Sequence, residues 1–325
     1  MDELSRIKQP IEAEFSEFIG LFNQSLTHDD GMLGQALQHI RQRTGKQMRP
    51  ILMLLLAKNF GGVSLATYHA AVALELLHTA SLIHDDVVDD SFERRGQASV
   101  NASFNNKVAV LVGDYVLSTA LLHVSHTHSE EIVRMTAQLG KTLSNGEIMQ
   151  MSNIHQDEIS ERCYYEVIRR KTAALFETCC AVAALSVGAD KKVVDAAKTF
   201  GQQLGMIFQI RDDIFDYGDG SDIGKPIGND MREGKLTLPA IYALKSTQNE
   251  SMKPLVMKVK NGTITDDEIG LFMQFTKESG GIAYAERRMW EFHHAAQSFV
   301  EDYVHDTSIK NSLCSYLDFI ILRHL

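Results

Sequence analysis

Cysteine, proline and positive charge are all scarce in this chain, and each scarcity excludes something. The four cysteines are Cys163, Cys179, Cys180 and Cys314. Their spacing matches neither a zinc-ligand pattern nor a disulfide framework, so reduced packing residues in a cytosolic protein are expected. Only five prolines are present among 325 residues, so long helices can run unbroken. Lysine and arginine number 32 against 42 acidic residues, a formal net charge of −10. An acidic surface argues against nucleic acid as the main partner. It admits an anionic substrate only where metal ions and local basic groups receive it. The opening Met1-Asp2-Glu3-Leu4-Ser5-Arg6 lacks the basic-then-apolar pattern of a secretory signal, and no apolar run reads as long enough for a membrane span. The expected location is cytoplasmic.

What is abundant is helical periodicity, with 44% hydrophobic residues to form a core. Ile11, Phe15, Phe18 and Phe22 recur at three- and four-residue spacing within a predicted helix over 7–26. Further helices are predicted over 32–43, 48–60, 65–90, 105–125, 129–151, 160–187, 191–216, 236–245, 266–278, 282–305 and 309–323. Ser64 caps the 65–90 helix, which reads as buried all round. The glycine-rich stretch 218–234 reads as a loop. No linker or repeat of domain size intervenes. The expectation is an all-α fold, a single large antiparallel helical bundle forming one domain over 1–325.

Two acidic stretches organise the chain. His84-Asp85-Asp86-Val87-Val88-Asp89-Asp90 and Arg211-Asp212-Asp213-Ile214-Phe215-Asp216 both contain Asp-Asp-x-x-Asp, and both end long apolar runs. Positions i and i+4 share a helix face, so Asp85 pairs with Asp89 and Asp212 with Asp216. Like charges at that spacing repel by a few tenths of a kcal/mol and call for a cation. Oxygen-only ligands favour a hard ion, and Mg²⁺ is commonly held by one or two carboxylates plus substrate phosphates. Basic residues gather nearby in sequence: Lys46 and Arg49, His78 two turns before Asp85, Arg94 and Arg95 after the first motif, and Lys171, Lys225 and Lys235 around the second. Arginine forks match phosphate oxygens in pairs, and lysine supplies a point charge.

With these residues in place, the sequence resembles the trans-type polyprenyl diphosphate synthase family. The segments that carry the resemblance are Gly45–Pro50, His78–Gly96 with its Arg94-Arg95-Gly96 tail, Gly146–Gln150, Lys171–Phe176 and Phe208–Pro239. The resemblance implies the isoprenoid synthase fold and repeated condensation of isopentenyl diphosphate with an allylic diphosphate such as farnesyl diphosphate. The product would be a long-chain all-trans polyprenyl diphosphate, of the kind used for quinone side chains. It implies Mg²⁺ at Asp85, Asp86, Asp89, Asp212, Asp213 and Asp216, with Asp85, Asp89, Asp212 and Lys171 central to catalysis. Lys46, Arg49, His78 and Arg95 would bind isopentenyl diphosphate. Arg94, Lys171, Thr172, Gln209, Lys225 and Lys235 would bind the allylic diphosphate. Gln47 departs from the family, which often has a basic residue there. A homodimer through helices within 105–151 is implied, with at most peripheral membrane contact.

Ala80 and Ser81 lie about one turn before Asp85. Short-chain members of the family tend to place bulky aromatics there, so small residues leave room for a longer product. A helix of about 25 residues spans about 37 Å, enough for about eight extended isoprene units. A stop would come from bulkier residues, with Leu122, Ile132, Met135 and Leu139 as candidates. Three other readings stay open: a shorter-chain farnesyl or geranylgeranyl synthase, a terpene cyclase on the same fold, and a non-catalytic partner subunit.

Overall fold

The computed structural model describes residues 3–29, 31–42, 45–94, 96–154, 160–218, 227–247 and 250–322. They are almost wholly helical. The only strands among them are the two-residue pair Glu93–Arg94 and Gln97–Ala98, turning at Gly96 with φ +73°. The chain divides into two compact units, one of Met1–Gly140, Thr178–Lys198 and Tyr303–Leu313, the other of Lys141–Glu177, Thr199–Asp302 and Cys314–Leu325.

In the first unit the Met48–Phe60 helix is apolar around its circumference, and every residue from Pro50 to Ala57 is buried. Beside it runs Leu65–Val88. Its start is set by a capping box, in which Ser64 Oγ accepts from the Thr67 N–H while the Ser64 N–H donates to Thr67 Oγ1. Such a cap is worth about 1 kcal/mol. This helix packs along Asn106–Ser125, where Gly113 makes the contact: a Cβ there would lie 2.3 Å from His84 Nε2. The Asn106–Ser125 helix corrects one expectation, because its length and composition do suffice to cross a membrane. Lys107 and Asp114 interrupt the run without lowering its mean hydropathy enough to disqualify it, and a third of the window is buried in the chain.

In the second unit Phe200 stacks on Phe299 at 4.4 Å. A separate apolar cluster joins Tyr217, Met231, Val256, Ile269 and Phe272. The predicted 160–187 helix is divided here. An α-helix over Glu161–Ile168 passes through a π-turn at Arg169–Ala173 and resumes as Ala174–Leu185. The predicted loop contains one helical turn, Asn229–Arg232. A helix over Lys253–Lys260 was not anticipated. Pro254 at its first turn and Gly262 after its end, at φ +63°, are the signals that mark it.

Candidate active site

The first acidic motif closes the Leu65–Val88 helix, and the way the helix ends holds the motif in place. Asp89 is the C-cap and Asp90 takes φ +48°. The Ser91 N–H then reaches back to the Asp86 carbonyl at 2.9 Å, the long bond of a Schellman ending, here with aspartate at the position glycine usually takes. The same carbonyl accepts from Asn101 Nδ2 at 3.1 Å. The strand turn that follows returns Arg94, whose Nε donates to Asp86 Oδ1 at 2.7 Å. Asp86 is buried, Asp85 half-buried and Asp89 exposed. Asp86 thus secures the turn, while Asp85 and Asp89 stand one turn apart on one face.

Of the basic residues expected around this motif, Lys46 is exposed, and Arg49 and His78 are half-buried. Arg49 and Glu75 both act electrostatically on the Cys179 thiol, which burial pushes up to about 12. Glu75 and His78 are neighbours at i, i+3 on the Leu65–Val88 helix. Between Lys46 and Arg49, Gln47 is buried in the left-handed region at φ +53°. A non-glycine residue there stores strain of about 1–3 kcal/mol and is typical of ligand-handling segments. Arg95 lies outside the described residues. Ala80 is buried, and Ser81 is half-buried with its Oγ donating to the His78 carbonyl at 2.8 Å.

Asp213 of the second motif and several neighbours line a cavity of about 190 Å³ in the second unit. Lys171, Thr172, Gln209, Asp213 and Lys235 all face it, together with Tyr164 and Asp230. Lys171 and Thr172 are carried by the π-turn, a distortion that recurs at functional sites. Glycines let neighbouring helices approach this turn. A Cβ on Gly205 would sit 2.3 Å from Ala173 Cα, and one on Gly146 would sit 3.0 Å from the Lys171 N. Lys171 Nζ pairs with Glu147 at 2.9 Å, and Lys235 pairs with Glu233. Thr172 Oγ1 donates to Gln209 Oε1 at 2.7 Å, and Gln209 Nε2 donates to Asp213 Oδ1 at 2.8 Å. Asp216 accepts the Asn229 and Asp230 N–H groups at 2.8 and 3.1 Å, capping the short helix that brings Asp230 to the cavity. Asp212 is half-buried and does not line this cavity. Lys225 lies outside the described residues.

Burial raises the carboxyl pKa of Asp213, with the Asp230 charge adding to it. Burial also raises Asp216, against the pull of its two backbone hydrogen bonds. Asp230 is pushed to about 7, first by burial and then by the Asp216 charge. An acid held above its unfolded value keeps its proton longer in the folded chain. Its ionisation therefore costs stability that is lost as pH rises from about 4 to about 7. Relative to the parent, D230N should gain stability across that window, by on the order of 4 kcal/mol, in metal-free denaturation curves. A difference that stays flat from pH 4 to 7 would contradict the assignment.

The donor set suits a hard divalent cation: clustered carboxylates that hold protons reluctantly surrendered, flanked by lysines. Among the described residues no three histidine, cysteine, aspartate or glutamate side chains already form a metal cage. Mg²⁺ does not need one, because it keeps waters and takes substrate phosphates alongside one or two carboxylates. Two residues escaped the sequence reading: Tyr164, which lines the cavity, and Glu147, which pairs with the cavity residue Lys171. Tyr164 carried no motif signal, though it lies seven residues, two turns, before Lys171. Glu147 fell inside the Gly146–Gln150 segment without a role.

The polyprenyl synthetase family profile matches residues 30–270, and the chain belongs to that family. Octaprenyl diphosphate synthase from Haemophilus influenzae is 37% identical over 246 residues, 75% of this chain and 74% of that protein. Heptaprenyl diphosphate synthase component 2 from Geobacillus stearothermophilus is 37% identical over 75% of this chain and 73% of its own length. The crystal structure of geranylgeranyl pyrophosphate synthase from Bacteroides thetaiotaomicron superposes with a TM-score of 0.87 at 47% identity, covering 99% of this chain and 100% of that one. The fold is the all-α isoprenoid synthase fold, and the chain is a prenyltransferase, a polyprenyl diphosphate synthase.

Proposed function

We propose that this enzyme adds isopentenyl diphosphate repeatedly to an allylic diphosphate, with Mg²⁺, to make a long all-trans polyprenyl diphosphate. The observation that carries the reading is the repeated Asp-Asp-x-x-Asp motif, each copy at the C-terminal end of a long helix, in a polyprenyl synthetase chain. Asp85, Asp89 and Asp212 would hold the metal, with Asp86, Asp213 and Asp216 supporting them. Arg94, Lys171, Thr172, Gln209, Lys225 and Lys235 would receive the allylic diphosphate. Lys46, Arg49, His78 and Arg95 would receive isopentenyl diphosphate. The 1–325 chain acts as one polyprenyl synthetase domain, located in the cytoplasm.

The chemistry sets the demands. Ionising an allylic diphosphate adds charge to an already anionic leaving group, and fixed cations such as Lys171 and Lys235 stabilise that charge. Bound Mg²⁺ would supply Lewis-acid stabilisation of the same oxygens. The Lys46, Arg49 and His78 group orients the second substrate so that its alkene lies near the cation. Apolar helices such as Met48–Phe60 keep out water that would quench it. The released diphosphate takes the final proton, and no side chain is needed as base.

Small residues at Ala80 and Ser81 and the octaprenyl and heptaprenyl relatives support a long product. The 47% identity to a geranylgeranyl pyrophosphate synthase supports a shorter one as the second reading. Exposed Val110, Leu111, Leu121 and Leu122 on the Asn106–Ser125 helix support a homodimer. The relative named as component 2 supports a further arrangement in which another chain completes the enzyme. Purified chain given radiolabelled isopentenyl diphosphate, farnesyl diphosphate and Mg²⁺ should extend the primer alone and stop on chelation. No chain growth would refute the proposal, and growth only after adding a second protein would establish the component reading.

A further inference from the structure

Asp213 is almost fully buried, at 2% exposure, and each of its oxygens has a donor. One is Gln209 Nε2 at 2.8 Å, and the other is Tyr164 Oη at 2.5 Å. Tyr164 is itself buried, in the helix just before the π-turn. Its phenol O–H is the donor to Asp213 Oδ2. The bonds run in one direction. Gln209 gives its NH₂ group to Asp213 Oδ1 and its oxygen to the Thr172 hydroxyl, so the two ends of the amide are held by different neighbours. The Thr172 hydroxyl donates to that oxygen at 2.7 Å. Tyr164 is the far anchor of a chain that sets the polar orientation of a wall of the cavity.

We propose that Tyr164 is a positioning residue: by fixing Asp213 it fixes the orientations of Gln209 and Thr172 that meet a metal–diphosphate group. The inference rests on the functional reading above. Outer hydrogen-bond partners of this kind orient the groups that touch a metal or its ligand, and losing one weakens binding about 10–100-fold.

The Y164F variant removes the one oxygen that binds Asp213 and keeps the ring. Calorimetric titration with inorganic pyrophosphate and Mg²⁺ should show binding weakened at least about tenfold. In steady state, KM for the allylic diphosphate should rise while KM for isopentenyl diphosphate stays unchanged. The neighbouring Y165F removes a phenol bonded instead to Arg288 Nε at 3.0 Å, and should leave pyrophosphate binding and both KM values as in the parent. If the parent chain binds Mg²⁺-pyrophosphate and elongates while Y164F matches it, the positioning role is wrong and the functional reading stands. If the parent neither binds nor elongates, the functional reading fails and takes this inference with it. A Y164F chain that does not fold, or one that raises both KM values equally, marks Tyr164 as structural and also overturns the proposal.

Discussion

Replacing Asp89 with alanine should lower the rate of isopentenyl incorporation about 10³-fold and leave the fold intact. A bound metal supplies several kcal/mol of stabilisation to charge developing in the transition state. Losing about 4 kcal/mol of it corresponds to about three factors of ten. The fold should survive because Asp89 is exposed, and its structural duty belongs to the backbone. Its N–H closes the helix onto the Asp85 carbonyl at 2.8 Å whichever side chain is present. A surface change of this kind shifts stability by about 0.5 kcal/mol or less. Incorporation kinetics beside a thermal melt measure both. Activity within tenfold of the parent, with an unchanged melt, would remove Asp89 from the metal site.

The second large effect concerns product length. S81F should shorten the product by several isoprene units. Ser81 is half-buried, and its hydroxyl donates to the His78 carbonyl of its own helix, so a ring there breaks no hydrogen bond to another element. Ala80 differs. It is buried to 1% exposure, and A80F would carry an overpacking cost of about 1–3 kcal/mol. Ser81 is therefore the cleaner position for the test. Mass analysis of products from the parent and S81F decides it. An identical distribution would show that growth does not pass this turn. Among the candidate stops, Ile132 and Leu139 are buried and Met135 is half-buried, whereas Leu122 is 63% exposed on the outer face of its helix. Leu122 does not wall an interior passage within the single chain.

The helices were legible because their apolar spacing is regular and proline is rare, and Lys191–Phe215 matches its predicted bounds to one residue. Regular spacing cannot report a π-turn. The extra residue at Arg169–Ala173 leaves the apolar pattern on either side intact, and the glycines that approach it closely, at 146 and 205, are distant in sequence. The Asp motifs were legible because i, i+4 carboxylates are a local pattern. Their division of labour was not. Asp86 is tied to Arg94 and Asp213 to Tyr164 and Gln209, and only tertiary contact separates such residues from Asp85, Asp89 and Asp212. Tyr164 stayed hidden for the same reason, since a tyrosine on a half-apolar helix carries no signal until its hydroxyl meets a carboxylate.

The most direct test is a crystal grown with Mn²⁺ in place of Mg²⁺ and a non-ionising allylic thiodiphosphate. Anomalous peaks should appear about 2.1–2.2 Å from carboxylate oxygens of Asp85, Asp89 and Asp212, each shared with the diphosphate. Manganese bound elsewhere, with these three aspartates contacting neither metal nor diphosphate, would contradict the assignment of the active site.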